Sequence, residues 1–456
     1  MTLHLKFKTV CAALFIIAAA IITPFASYSQ AIKVEIKQDE NGRYMLYRGG
    51  EPYYIKGAGG SNHIDELISL GGNSIRTWGI DEADEALAKA EENGLTVMLG
   101  LWVQHERHGF DYNDEEAVQN QLERFTDIVK RYKDHPSILL WGIGNEVDLF
   151  YSNKKVWDAI QDIAKMIHEI DPNHPTSTVT AGLEEDEVKQ IKERAPDIDI
   201  YGINTYGDIA KISENLSDFG WDGPYIVSEW GPNGHWEVSK TPWGAPLEQT
   251  STEKAASYAM RFDKYILQQK QQCIGSYVFL WGQKQETTST WYGLFTEKGD
   301  PTEPLDELHQ AWKGKPIDNR APEIEEIKFK DFEDKLNVRL MAGENYEVSL
   351  SFKEPDQDRT SVKWMVFPES SNTKAGGDFE NSLQPVLGTF RKKRKNEAVI
   401  KAPEEEGAYR IFVFIQDPNN RTAYANIPFY VYPRSKEDGQ SQWIQLKERE
   451  LNVNRD

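Results

Sequence analysis

From Tyr54 to about Gly314, short apolar runs alternate with stretches whose apolar residues recur at helical spacing. The runs are Tyr54–Gly57, Ser74–Trp78, Thr96–Val103, Ile138–Ile143, Ser177–Ala181, Asp199–Asn204, Tyr225–Ser228 and Ser276–Trp281. Between them stand segments such as "DEADEALAKAEENG", where Ala83, Leu87 and Ala90 share a face and Gly94 ends the pattern. Eight strands, each followed by a helix, predict a (β/α)8 barrel. A doubly wound sheet usually has fewer strands and, when it binds nucleotides, a Gly-rich first turn that this chain lacks. Ahead of the barrel, "IKVEIKQDENGRYMLYRGG" reads as a hairpin turning at Asn41-Gly42. Hairpin and barrel together take residues 31–316.

Past "KGKPIDNRAPEIEE" the period shortens to two. Leu336, Val338 and Leu340 alternate with polar residues, as do Tyr346, Val348, Leu350 and Phe352, then Val362, Trp364 and Val366. Period-two strands at short intervals predict an immunoglobulin-like β-sandwich over 321–433, with a polar tail over 434–456. The expected fold class is therefore α/β: a TIM barrel followed by a C-terminal sandwich. At the other end, Lys6 and Lys8 precede the apolar run Val10 to Ile22, and small residues follow at Ala26, Ser27 and Ser29. This is the layout of a secretory signal peptide over 1–30, so the expected location is secreted or periplasmic.

Composition narrows the functional classes. The formal net charge of −21 argues against nucleic acid or an anionic membrane surface as partner. Apart from Cys11 in the leader, Cys273 is the sole cysteine, so no internal disulfide is expected. There is no His/Cys spacing of a zinc site, no calcium loop and no Gly-rich phosphate loop, so neither a metal nor a cofactor is expected. Oligomeric state is left open.

Barrel enzymes carry their chemistry at the carboxyl ends of the strands. Here those ends hold Arg76-Thr77-Trp78, Trp102 and His105, Asn145-Glu146, Asn204 with Tyr206, Glu229-Trp230, and Trp281-Gly282-Gln283. Two carboxylates facing one rim are what cleavage of a glycosidic bond needs, one as proton donor and one as nucleophile. Arg76 and Tyr206 are placed to hold Glu229 as an anion, leaving Glu146 as the acid. Trp281 offers a flat face to a sugar, and Asn145 a hydrogen bond to a ring hydroxyl. Trp102, His105, Asn204 and Trp230 complete the candidate substrate contacts. Each also has an ordinary reading: an arginine in a structural ion pair, aromatics in a barrel core, a histidine in a loop.

"GIGNEV" and "IVSEWG" resemble the acid/base and nucleophile motifs of the clan A retaining glycoside hydrolases, most closely the barrels of glycoside hydrolase family 2. "LGGNSIRTW" and "GSYVFLWGQKQE" are also similar to the fungal β-1,3-glucanosyltransferases of family 72. The resemblance implies Glu146 as acid/base, Glu229 as nucleophile, Asn145 on the 2-hydroxyl, Arg76 and Tyr206 beside the nucleophile, and Trp281 lining the subsite of the cleaved sugar. With the leader, it implies a retaining β-glycosidase or transglycosylase, exported, acting on a β-linked oligo- or polysaccharide such as a glucan. The alternative is a carbohydrate-binding protein on a glycosidase-like barrel that has lost catalysis, which should lack one of the two carboxylates.

Overall fold

The computed structural model describes residues 30–434; residues 1–29 of the leader and all but the first residue of the polar tail lie outside them. The chain enters as a three-stranded antiparallel sheet, β1 (Val34–Gln38), β2 (Tyr44–Arg48) and β3 (Glu51–Tyr53). Gly42, at φ 75°, makes the first turn in the left-handed region that glycine enters without steric cost.

The barrel follows. Its strands are β4 (Ile55–Gly59), β5 (Ser74–Arg76), β6 (Thr96–Leu101), β7 (Ile138–Ile143), β8 (Thr176–Ala181), β9 (Ile200–Asn204), β10 (Tyr225–Trp230) and β11 (Cys273–Val278). All pair in parallel, and β11 returns to β4 to close the sheet. The helices after successive strands are α1 (Ile64–Leu70), α2 (Ala83–Glu92), α3 (Glu115–Tyr132), α4 (Lys155–Ile170), α5 (Glu185–Arg194), α6 (Ile212–Asp218), α7 (Ser251–Arg261) and α8 (Pro304–Lys313). Their starts follow local chemistry. Thr250 and Glu253 form a reciprocal capping box on α7, and α8 opens on Pro304, whose missing N–H costs nothing in a first turn. The helices bury one face: α4 puts Trp157, Ile160, Ile163 and Ile167 against the strands. Inside the barrel, Ile55, Met98, Leu140, Val179, Ile200 and Ile226 pack with Val34 and Leu46. The N-terminal sheet thus plugs the bottom of the barrel and leaves the opposite rim free for a site.

The eighth strand begins three residues earlier than its apolar pattern suggests and ends at Val278. This shift decides the fate of Trp281, described below.

Residues 323–432 form two four-stranded sheets. One contains β12 (Glu323–Phe329), β14 (Asn345–Lys353), β17 (Glu397–Lys401) and β16 (Phe390–Lys393), all antiparallel. The other contains β13 (Arg339–Met341), β19 (Thr422–Tyr432), β18 (Gly407–Gln416) and β15 (Ser361–Pro368), with β13 parallel to β19. Ile327, Val348 and Ile400 of the first sheet share a hydrophobic cluster with Trp364, Ile411 and Phe429 of the second.

This unit is joined to the barrel by buried polar contacts. Lys254 of α7 donates to Glu248 (2.6 Å) and to the Tyr424 hydroxyl (3.2 Å), and Asn426 donates to Glu248 (2.6 Å). Arg421 pairs with Asp306 of α8 at 2.9 Å. Every member of such a network has a partner, which is the condition for burying charge without a large penalty.

Candidate active site

At the carboxyl rim, one guanidinium organises four strand ends. Arg76, at the end of β5 and 1% exposed, donates through Nη1 to Glu229 Oε1 (3.1 Å), Asn204 Oδ1 (3.2 Å) and the Ser228 carbonyl (2.7 Å). Its Nη2 donates to Asn145 Oδ1 at 2.7 Å. Glu229 also accepts from Trp78 Nε1 (2.7 Å) and the Tyr206 hydroxyl (3.1 Å). Burial, with the Glu229 charge beside it, holds the Tyr206 phenol far above its ordinary value, so it stays a neutral donor.

Glu146 has a different environment. It follows Gly144 and Asn145 at the end of β7, in a left-handed turn with φ 51°, an uncommon conformation for a residue with a side chain. Its carboxyl accepts one bond, from Asn204 Nδ2 at 2.9 Å. Burial, reinforced by the nearby Glu229 charge, pushes it up to about 7, against the smaller opposing effects of Asn204, Arg76 and Arg107. Of the two glutamates, then, Glu229 is ion-paired to the arginine, and Glu146 is the one whose proton is retained near neutral pH.

Asn204 uses both ends of its amide inside this network. Nδ2 donates to Asn145 and Glu146, and Oδ1 accepts from Arg76 and from Ser228 Oγ (2.8 Å). It positions Glu146 and Arg76, and it also lines the cavity beside Glu146. Asn145 has its oxygen occupied and lines the cleft, which leaves its NH2 for a substrate oxygen.

Three expectations are corrected. Trp230 follows Glu229 on one strand, so its side chain points to the opposite face. It is 0% exposed and packs on Tyr258 and Phe262. Trp281 lies beyond the end of β11, is 1% exposed, and packs on Phe295 and Trp312 with its indole N–H toward the His63 carbonyl (3.4 Å). Phe279 and Leu280 stand at the cleft in its place. His105 is buried under Trp102 in a stack that continues to His108. Burial, then Arg107, pushes it down to about 4, and the neutral ring accepts from Arg107 Nε through Nδ1 (3.1 Å). Trp102 itself does line the cleft.

Sequence reasoning missed Trp78, Ser228, Phe279 and Lys284 as site residues. The signal for Trp78 was present: two residues after Arg76 at a strand end, it lies on the same side as the arginine. Lys284 and Glu286 form an ion pair at 2.9 Å beside the cleft. Glu237 accepts from the N–H groups of Gly207 and Gly234 and so shapes a loop. Among the described residues no cluster of His, Cys, Asp and Glu is placed to hold a metal ion.

A closed parallel (β/α)8 barrel with two unlike glutamates on its carboxyl rim has the framework of a glycoside hydrolase. Residues 72–314 match the family described as glycosyl hydrolases family 2, TIM barrel domain, and this is more than half of the 456 residues. The chain belongs to that family. It is 24% identical to the β-glucuronidase of Paenibacillus borealis over 177 residues, covering 33% of this chain and 29% of that protein. With the β-mannosidase of Mus musculus it shares 26% identity over 223 residues, 44% of this chain and 23% of the other. Among solved structures, the Faecalibacterium prausnitzii β-glucuronidase superposes with a TM-score of 0.49 and 20% identity, over 62% of this chain and 52% of that one. The first curated relatives are matched over only 20% to 38% of their own length.

Proposed function

We propose that the chain is a retaining β-glycosidase that works by double displacement on a β-linked oligo- or polysaccharide. The observation that carries this is the unequal treatment of the two glutamates: Glu229 is ion-paired to Arg76, and Glu146 is pushed up to about 7. In the first step the Glu146 proton goes to the glycosidic oxygen as the C1–O bond breaks, and a Glu229 oxygen bonds to C1. In the second, Glu146 takes a proton from water, the oxygen of that water bonds to C1, and Glu229 leaves as the carboxylate. A sugar hydroxyl in place of water gives transfer by the same steps. β-Glucuronidase and β-mannosidase relatives support β-linked substrates and leave the sugar open. The basic start, apolar run and small residues of the leader support export. The paired sheets of the C-terminal unit support an immunoglobulin-like sandwich.

The test uses 4-nitrophenyl β-glycosides of several sugars and follows the released sugar by NMR. Retention delivers the β-anomer first; initial release of the α-anomer would replace double displacement with inversion. Glu229→Ala should abolish turnover. Glu146→Ala should still glycosylate with this good leaving group, and azide should restore its turnover as the β-glycosyl azide. Azide rescue to that same β-product in both variants would refute the division of roles.

A further inference from the structure

The turn that carries Glu146 is bent at three places within seven residues. Gly144, Glu146 and Phe150 have φ of 74°, 51° and 59°, all in the left-handed region. Glycine enters that region freely, whereas a glutamate and a phenylalanine enter it at a steric cost. Such backbone persists where the surrounding structure fixes it from outside. Here the outside support is the end of β8. The Glu146 N–H donates to the Val179 carbonyl (2.9 Å), and the Leu149 N–H closes the turn on the Glu146 carbonyl (3.1 Å). The side chain of Asp148 makes a further tie to the same strand end: both its carboxyl oxygens accept from the Ala181 N–H, at 3.0 and 3.2 Å. Being a side-chain tie, it can be removed without touching the backbone bonds.

The two glutamates are held by separate means. Glu229 is fixed by Arg76, Trp78 and Tyr206, none of which belongs to the turn. Glu146 sits where the turn puts it, with one side-chain bond, from Asn204. A proton donor must come within about 3 Å of the oxygen it protonates, and a displacement of about 1 Å can cost a hundredfold in rate. Movement of the turn therefore impairs proton donation while leaving the nucleophile in place. Asp148 itself lines neither the cavity beside Glu146 nor the cleft that holds Glu229, so it acts through its neighbour. Burial of its carboxyl, then the Glu146 and Glu187 charges, holds Asp148 well above its ordinary value, against the smaller effect of the Ala181 N–H. A neutral amide is accordingly its closest substitute.

We propose that Asp148 is a positioning residue for proton donation: by accepting from the Ala181 N–H it fixes the left-handed turn and, through it, the place of the Glu146 carboxyl at the leaving oxygen. This rests on the glycosidase reading above, with Glu146 as the acid. It assigns to β8, which bears neither glutamate, the support of the proton donor.

The experiment compares the full chain with Asp148→Ala, Asp148→Leu and Asp148→Asn, and with Glu146→Ala as the reference for a lost acid. Substrates are β-glycosides whose leaving groups run from 2,4-dinitrophenol, which departs without a proton, to phenol, which needs one. Asp148→Ala should lower kcat/KM roughly a hundredfold on the phenyl glycoside and less than about threefold on the dinitrophenyl glycoside. Asp148→Leu fills the space without accepting and should behave alike, so either variant that keeps a cooperative thermal transition serves. Asp148→Asn keeps an acceptor for the Ala181 N–H and should bring the phenyl glycoside back to within about tenfold of the unaltered chain. Equal losses on every leaving group would make the tie merely structural and overturn the proposal. Unimpaired Asp148→Ala and Asp148→Leu overturn it too, as does an Asp148→Asn as poor as they are. In each of those cases, turnover by the unaltered chain and a steep leaving-group dependence in Glu146→Ala uphold the glycosidase reading. Absence of turnover by the unaltered chain on every glycoside would overturn both.

Discussion

A single buried cation decides much about this site. Arg76 holds Glu229, Asn145 and Asn204 at once, so replacing it strands a buried carboxylate. Arg76→Met should cost about 3–5 kcal/mol in denaturant unfolding, the price of an unpaired buried charge. Adding Glu229→Gln to it should recover part of that loss, because the stranded charge is gone; additive losses in the double variant would refute the coupling. Glu146 makes the second prediction. A proton donor pushed up to about 7 is lost as pH rises through that value, so kcat/KM should fall on the alkaline side with an apparent pKa near 7. The cause can be checked by NMR titration of Glu146: burial remains in Glu229→Gln while the neighbouring charge goes, so its pKa should drop.

Strand alternation sorts the aromatic residues of the barrel. Glu229 and Trp230 are neighbours in β10, and one faces the cleft while the other packs on α7. Past the end of β11, Phe279 and Leu280 take the cleft and Trp281 goes to the core. Trp236, in the loop after β10, is 55% exposed and lines the cleft. Tryptophans at these two positions should respond in opposite ways. Trp281→Ala should lose about 3–5 kcal/mol of stability through the cavity it leaves. Trp236→Ala should stay within about 0.5 kcal/mol and raise KM. Chemical denaturation and steady-state kinetics on the two proteins decide it. A raised KM in Trp281→Ala with stability intact would restore that residue to the sugar.

At the scale of the molecule, the barrel and the C-terminal unit meet across buried ionisable groups. Glu303 accepts from Ser251 (2.8 Å) and Thr252 (2.7 Å), whose hydroxyls also accept from the N–H groups of Tyr424 and Ile324. Burial pushes Glu303 up to about 8 from an ordinary 4.5, and Asp306 up to about 7. Between the unfolded and folded values the folded chain binds the extra proton. Stability from Glu303 is therefore full below about pH 4.5 and declines as pH rises to about 8, and that from Asp306 is full below 3.8 and declines up to about 7. Glu303→Gln keeps an acceptor and removes the titration, so its melting temperature should fall less between pH 5 and 8 than that of the parent, with Asp306 supplying the remainder. Equal slopes in both proteins would show that Glu303 is ionised in the fold.

The periodicities in this chain report local geometry, and local geometry is what they determined. Side chains repeat every two residues on a strand and about every 3.6 on a helix. Eight strands, eight helices and the shift to period two past Glu326 are therefore legible in the order of the amino acids alone. The same patterns brought Asn145, Glu146 and Glu229 to strand ends. Tertiary structure decided what periodicity does not encode. The parallel register of β11 against β4 placed the eighth strand's end at Val278 and sent Trp281 into the core. The convergence of the Asn145, Asn204, Trp78 and Tyr206 side chains on Arg76 and Glu229 needed the barrel to close, because residues from 76 to 229 meet there only across it. The segment between β15 and β16 lay furthest from view. Asp378 meets Arg107 from 271 residues away in sequence, a contact that arises from how two separately cored units pack.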